Sequence, residues 1–410
     1  IAHLFARNGT APAPAKLEGE IAQADPSRLW DKMGQSGYNP SELVTRRGLD
    51  VFDRMRRDDQ VRAALALRKL AAISTGWKIQ SPEDMDEVDD LGKVTTRWEV
   101  TEFVEWCLRQ HLDGTLEAAL DGVLTSLDYG YSISEKVYGE IEAGPWSGKM
   151  GMRDLKTRHP KSFEFGVDTE GNLRRLIQIQ TVGRVELDPA KFVISVNDFE
   201  FGNWYGKSEL EHAYRAWYIK DNAYKWLGMG LERYGLSPIL FRYDPNLVPA
   251  DMKNDIKTIF TNLQADTRGL LPGASGAFEA FEFSQGERVA RIFTQVLAMF
   301  NQDIARALLL PGLLGVTADA AEGSFARSKV QFEVFMLIVE RDRTRLAVDV
   351  MDHQVIRQLV DLNFGPQDEY PYFEFLPMTE QNKAAILGIW KDLLLAGGVK
   401  GAAPDEAHIR

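Results

Sequence analysis

Apolar and polar positions along the chain change period several times, and each change predicts an element. Asp58-Asp59 opens a stretch in which Val61, Leu65, Leu67 and Leu70 recur at helical spacing until Gly76 stops it. Trp77-Lys78-Ile79-Gln80 then alternates as a short strand does. Residues 81–90 carry six acidic side chains and no basic one, which reads as a solvated loop. Helices are expected over about residues 99–110 and 116–129. The period drops to two over residues 131–139, with strand-like runs following at 163–167, 173–180 and 192–196. Asp168-Thr169-Glu170-Gly171-Asn172 is hairpin-turn chemistry between two of them. The pattern predicts one small antiparallel sheet beside helices, an α+β block.

The second half is dominated by long helices. Ser208, with Glu211 three residues on, forms a capping-box pattern. A helix follows to about residue 234, with Leu210, Tyr214, Trp217, Tyr224, Leu227 and Leu231 as its apolar stripe and Gly235 at its end. A strand is expected over 238–243, a short helix from Pro249 to about 263, and a Gly-broken strand pair over 269–283. A second long helix runs over about 286–310 and halts at Pro311-Gly312. After a loop to Gly323, Ser324 can cap the longest helix, about residues 325–363 or roughly 55–60 Å. A strand over 370–376 and a helix over 379–396 complete the prediction. The overall expectation is an α+β, mainly helical protein in which long helices alternate with small β insertions.

Residues 1–40, rich in Ala, Pro, Gly and Ser, read as an arm or strap that orders when it docks on a neighbour. The chain begins at Ile1 without an initiator methionine, so its natural start is expected upstream. A net charge of −12 argues against a protein that coats DNA through a broad basic face, but allows local contact with DNA that must slide. The lone Cys107 has no internal disulfide partner and reads as a buried apolar residue in a reducing compartment. No run of about 18 apolar residues exists to span a membrane.

Little in the sequence selects catalytic chemistry. Residues 202–208, Gly-Asn-Trp-Tyr-Gly-Lys-Ser, follow a strand and open a helix as a phosphate loop would. They place three residues between the glycines where that motif needs four, and two of these are bulky. His3, His111, His159, His212, His353 and His408 form no i,i+4 ligand pair and no HExxH motif, so neither a metal nor a cofactor is expected. Serines lack a GxSxG context, and no carboxylate pair stands out. Basic residues draw attention by position: Lys253 and Lys257 share one helix face with Arg268 nearby, and Arg341, Arg343 and Arg345 cluster within the longest helix. Each set also fits an ordinary solvated or ion-paired face.

Three blocks carry a family resemblance. They are Val-Arg-Ala-Ala-Leu-Ala-Leu-Arg-Lys-Leu through Trp77-Lys78-Ile79-Gln80, the stretch from Gly202 to Pro238 with its Glu-Arg-Tyr-Gly end, and the stretch from Leu314 to Pro377. The last contains Gly323-Ser324-Phe325-Ala326-Arg327-Ser328 and Leu359-Val360-Asp361-Leu362-Asn363-Phe364-Gly365. In this order they resemble the portal proteins of tailed bacteriophages, especially the Mu-like branch. Val316-Thr317-Ala318-Asp319 departs from the Gln-Thr-Leu-Thr-like run more usual there.

The resemblance implies a ring, usually of twelve subunits, at one capsid vertex, and a subunit with wing, stem, clip and crown. It maps an N-terminal arm to 1–40, the wing to 41–207 and 324–376, and the stem helices to 208–235 and 286–310. The clip falls at 236–285, a DNA-facing tunnel loop at 311–323 and a short crown at 377–410. The implied tunnel-loop residues are Val316, Thr317, Ala318, Asp319, Ala320, Ala321 and Glu322, and the implied clip contacts to DNA or a partner are Lys253, Lys257 and Arg268. Tyr214, Trp217 and Tyr224 are candidates for packing between subunits or, equally, within one. The implied partners are further copies of the chain, double-stranded DNA without sequence specificity, the large terminase, head–tail connector (adaptor) proteins, and major capsid and scaffold proteins. No membrane is involved. The protein would be made in the bacterial cytoplasm and reside in the virion. Alternatives from other classes are a minor head protein and a carboxylate-based hydrolase.

Overall fold

The structure, a computed structural model, describes residues 41–82, 87–88, 94–235, 239–243, 268–272, 279–280, 286–308, 324–378 and 386. Side chains are described for 41–82, 97–230, 291–308, 332–378 and 386. In chain order the elements are α1 (Glu42–Arg47), α2 (Asp50–Met55), α3 (Asp59–Ile73), β1 (Trp77–Gln80), β2 (Glu87–Val88), β3 (Val94–Thr96) and α4 (Glu99–Trp106). A π-helical turn, Cys107–His111, continues α4. Then come α5 (Leu116–Val123), α6 (Ser126–Tyr129), β4 (Tyr131–Glu140), β5 (Met150–Arg158), β6 (Phe163–Val167), β7 (Leu173–Gln180), β8 (Gly183–Leu187) and β9 (Phe192–Val196). The remainder is α7 (Glu209–Gly235), β10 (Ile239–Tyr243), β11 (Arg268–Pro272), β12 (Glu279–Ala280), α8 (Gly286–Ala307), α9 (Ser324–Arg345), a π-helical segment (Leu346–Ile356), α10 (Arg357–Phe364) and β13 (Tyr372–Phe375).

The chain divides into two compact units. Among the described residues, the first comprises 41–49, 79–208 and 346–374, and the second 50–78, 209–345 and those from 375 onward. In the first unit, two antiparallel three-stranded sheets, ordered β5-β4-β9 and β6-β7-β8, replace the single sheet expected from the pattern. The sequence reading missed β5 and β8. β5 buries Met152 and Leu155, three residues apart, because a bulge opposite Val137 and Tyr138 breaks its period of two. β8 is polar and exposed along nearly its whole length, so it has no buried face to reveal it. The expected acidic loop at 81–90 contains β2, which pairs with β3. The turn over Asp168–Asn172 is a hairpin as expected, with the Asn172 amide donating to Asp168 Oδ1 at 2.7 Å.

The core of this unit forms where α4 and α5 bury Phe103, Val104, Leu116 and Leu120 with Ile133 and Met152 from β4 and β5. Cys107 sits inside it, fully buried, and burial pushes its thiol up to about 12. The π segment and α10 complete the core with Val350, Met351, Val355, Leu359 and Val360.

Two side-chain amides tie that helical stretch to the sheet. Gln354 Oε1 accepts from Ile194 N at 2.8 Å and its Nε2 donates to Ile194 O at 3.1 Å. Asn363 repeats the arrangement on Met150, with bonds of 2.7 and 2.8 Å. Ile194 lies on β9 and Met150 on β5, so the two amides bracket the two outer strands. Between them, Lys136 and Tyr138 of β4 donate to Gln354 O and Gln358 Oε1 at 2.8 and 2.9 Å.

The aromatic-glycine stretch before α7 is structural. Gly206 (φ +56) sits where a Cβ would lie 2.3 Å from Gly130 O and 2.4 Å from Asn197 O. Gly130 itself has φ +91 and ends α6, so the two glycines let two chain segments touch. Asn203, Asn197 and the backbone of Gly206 and Lys207 hydrogen-bond among themselves, and Tyr205 packs on Tyr131 and Phe165 at 5.4 and 5.0 Å. The loop's polar groups are spent on its own shape rather than on a phosphate.

Asp352 yields a testable pH dependence. Burial raises its carboxyl to about 6, against the opposing hydrogen bond from Phe373 N and the nearby His353. A carboxyl whose folded pKa is raised stabilises the fold most below its unfolded pKa, near 4, and that contribution is lost as pH rises through about 6. Asp352→Asn keeps an acceptor for Phe373 N and removes the titration. The variant should therefore lose less stability than the parent between pH 4.5 and 7.5 in urea denaturation; equal losses would contradict this.

Candidate functional site

In the second unit, α7 and α8 pack along each other as a pair, with α2 and α3 against them and α9 against α3. The pair carries between its helices a small sheet ordered β11-β10-β12, with β10 parallel to β11 and antiparallel to β12. The sequence thus folds into a helical strut with a β insertion at its turn.

Charged side chains root the strut. Arg68 of α3 is almost wholly buried. Its Nε donates to Asp342 Oδ2 of α9 at 2.7 Å, and its Nη1 lies 3.0 Å from Glu209 Oε1 at the first residue of α7. Burial alone would pull the guanidinium down. The Asp342 and Glu209 carboxylates outweigh it and hold Arg68 above its ordinary value. Arg345 reaches Asp342 from the same helix at 3.4 Å, and Arg341 lies 3.7 Å from it at the surface. About three turns further along α7, the fully buried Lys220 meets Asp58 and Asp59 at 2.8 Å each. Asp58 has a double role, because its Oδ1 also caps α3 by accepting from Gln60 and Val61 N. Arg343 is the third member of the arginine cluster seen in the sequence. It is buried and donates to Thr75 Oγ1 at 2.9 Å and Leu376 O at 2.6 Å, with its guanidinium over the Phe375 ring.

Burial along the strut is uneven. α7 buries Leu210, Ala213, Lys220 and Ala223 near its start, and α8 buries Ile304 and Ala305 near its end. Between and beyond these positions, large apolar side chains stand in water: Tyr218, Tyr224, Trp226 and Met229 on α7, and Ile292 and Met299 on α8. The sequence stripe on α7 holds at Leu210 and is corrected at Tyr224, which is 47% exposed, while Ala213, Lys220 and Ala223, outside the stripe, are buried. Tyr214 and Trp217 are half-buried, with their rings 6.0 Å apart and tilted by 38°. Arg268 opens β11. Lys253, Lys257 and the tunnel-loop residues Val316, Thr317, Ala318, Asp319, Ala320, Ala321 and Glu322 lie outside the described residues, as do the short helix after Pro249 and most of the helix expected over 379–396.

Among the described residues, no group of three or more His, Cys, Asp or Glu is placed to hold a metal ion. None of the described helices is long and apolar enough to cross a membrane.

The sequence matches the family described as the portal protein of Mu bacteriophage over residues 49–410. The chain belongs to this Mu-type portal family. It is a phage portal protein, a structural component of the virion and not an enzyme, which sets aside the hydrolase alternative. Solved structures agree on the fold. A chain of the neck of an empty gene transfer agent (GTA) particle, computed with C6 symmetry, matches with a TM-score of 0.58 at 16% identity, covering 91% of this chain and 94% of that one. A chain of the virion of a native GTA particle matches at 0.57 and 14% identity, over 90% and 92%. A chain of the native GTA neck computed with C12 symmetry matches at 0.53 and 14%, over 91% and 94%. No curated protein sequence matches.

The charge node gives a second prediction. Arg68→Met leaves Asp342 and Glu209 buried without their central cation and should cost about 3–5 kcal/mol in chemical denaturation. Replacing Arg68, Asp342 and Glu209 together by apolar residues of similar size should recover much of that loss. A triple variant as unstable as Arg68→Met would show that packing, not the uncompensated charge, sets the cost.

Proposed function

We propose that the chain closes into a ring of about twelve subunits at one vertex of a phage capsid, around the channel through which double-stranded DNA enters and leaves. The observation that carries this reading is the strut with wet apolar flanks. Helices rooted by buried ion pairs that also hold large apolar side chains in water call for neighbouring copies to bury Tyr218, Tyr224, Trp226 and Met229. A similar fold found in GTA necks of C6 and C12 symmetry supports the ring.

In this reading α7 and α8 are the stem, residues 236–285 the clip, and the α+β unit with the long 324–364 helical stretch the wing. Residues 1–40 are the arm and 377–410 the crown. The loop 311–323 narrows the channel. Its Asp319 and Glu322 and its small alanines offer DNA steric contact without grip, because each cation placed there would be multiplied around the ring and would slow release. Lys253, Lys257 and Arg268 at the clip would contact DNA or a docked partner. Terminase and connector proteins would bind the clip, and capsid and scaffold proteins the wing.

Two variants test the assignment. Trp226→Asp places a charge on the exposed flank of α7; the subunit should keep its folded-state stability within about 0.5 kcal/mol and lose ring assembly in native mass measurement. Intact rings would remove this flank from the interface. Deleting residues 236–285 should leave the α+β unit folded by circular dichroism while terminase and connector binding is lost; collapse of the whole fold would count against the map.

A further inference from the structure

The two three-stranded sheets of the first unit have four outer edges, and three are closed by side chains or loop backbone. Asn363 takes both polar groups of Met150 on β5, and Asp113 N donates to Arg153 O of the same strand at 2.7 Å. Gln354 takes both groups of Ile194 on β9. On β6, the Phe165 amide donates to the Tyr205 hydroxyl at 3.1 Å. The fourth edge is β8. Gly183, Arg184, Val185 and Glu186 are all exposed, and among the described residues nothing beyond β7 pairs with the β8 backbone.

The register says which amides are open. Because Phe165 N points away from β7, the Phe165–Leu176 pair is the non-hydrogen-bonded kind, and Leu176 turns its own groups toward Leu187 of β8. Alternation along β8 then turns Val185 inward and leaves the N–H and C=O of Arg184 and Glu186 facing outward. Exposed apolar side chains flank this edge: Ile179 at 45%, Val185 at 38% and Val182, in the turn, at 97%. A bare edge with apolar shoulders is a template for a further strand, and this unit protects its other three edges.

We propose that the outer edge of β8 is completed in the ring by an extended stretch of residues 1–40 from a neighbouring copy. This rests on the ring reading. A closed ring is built from heterologous contacts, so one flank must offer what the other accepts. Forty residues can span up to ~130 Å when extended, several times the width of a unit of this size, so the segment before Ser41 can reach beyond its own subunit. Its apolar start, Ile1-Ala2-His3-Leu4-Phe5-Ala6, supplies side chains for Val182 and Val185 to meet.

Hydrogen exchange on the full-length chain, compared between ring and monomer, reads the edge directly. The amides of Arg184 and Glu186 should slow roughly tenfold or more on ring formation. Exchange as fast in the ring as in the monomer overturns the proposal, and slow exchange already present in the monomer overturns the assignment to a neighbour. The partner is identified with Glu186→Cys carrying a maleimide benzophenone; the native Cys107 is buried and stays unlabelled. In rings assembled from mixed 14N and 15N chains, illumination should join residue 186 of one isotope to a peptide within 1–40 of the other. Cross-links to another segment, or only within one isotope, overturn it. A parent chain that forms no ring contradicts the ring reading itself, a failure separate from that of an unprotected β8 in good rings.

Discussion

A guanidinium taken out of water must find carboxylates, and Arg68 finds two that arrive from different helices. Asp342 is brought by α9 and Glu209 by the first residue of α7. The requirement that all three be satisfied at once fixes where α7 begins and how it stands against α3. Lys220 applies the same rule again further along α7, using an aspartate that is already capping α3. Such ion pairs add little net stability over a well-packed apolar core, but they tolerate few alternative arrangements. They suit a part whose direction matters more than its depth of burial.

Direction matters because the α7–α8 pair leaves several large apolar side chains in water. Near the base, Leu210, Ala213 and Ile304 are buried; further along, Trp226, Met229, Ile292 and Met299 face solvent. In the proposed ring, such a helical pair is half of an interface. Repeated around an axis, the exposed flanks of one copy can cover those of the next. The α+β unit follows a different plan. It encloses a core of its own, and Gln354, Asn363 and Tyr205 cover three of the four outer edges of its three-stranded sheets, leaving β8 open.

The helices and most strands were legible because burial on one face writes a period into the sequence. Asp58 before an apolar run and the Asp168–Asn172 turn marked their boundaries through local hydrogen bonding. What escaped notice had no such period. β8 is wet on both faces, and a bulge breaks the period of β5. Beyond Leu210, the buried face of α7 runs through Ala213, Lys220 and Ala223, so hydropathy pointed to the larger aromatics instead. The roles of Arg68 and Arg343 could not be read either, since their partners lie far away in the chain. Arg341, Arg343 and Arg345 looked alike in sequence, yet one is exposed, one is locked against Thr75 and Leu376, and one pairs with Asp342. The portal family was recognisable from the order of three blocks, which survives when individual contacts cannot be seen.

The central claim is that the subunit is incomplete alone. Native mass spectrometry of the purified full-length chain, with imaging of the same sample, tests it most directly. The account predicts a closed ring with a central hole and a mass near twelve times 46.2 kDa. A stable species of one or two subunits at every salt concentration, with Trp226 and Tyr224 still exposed, would contradict it.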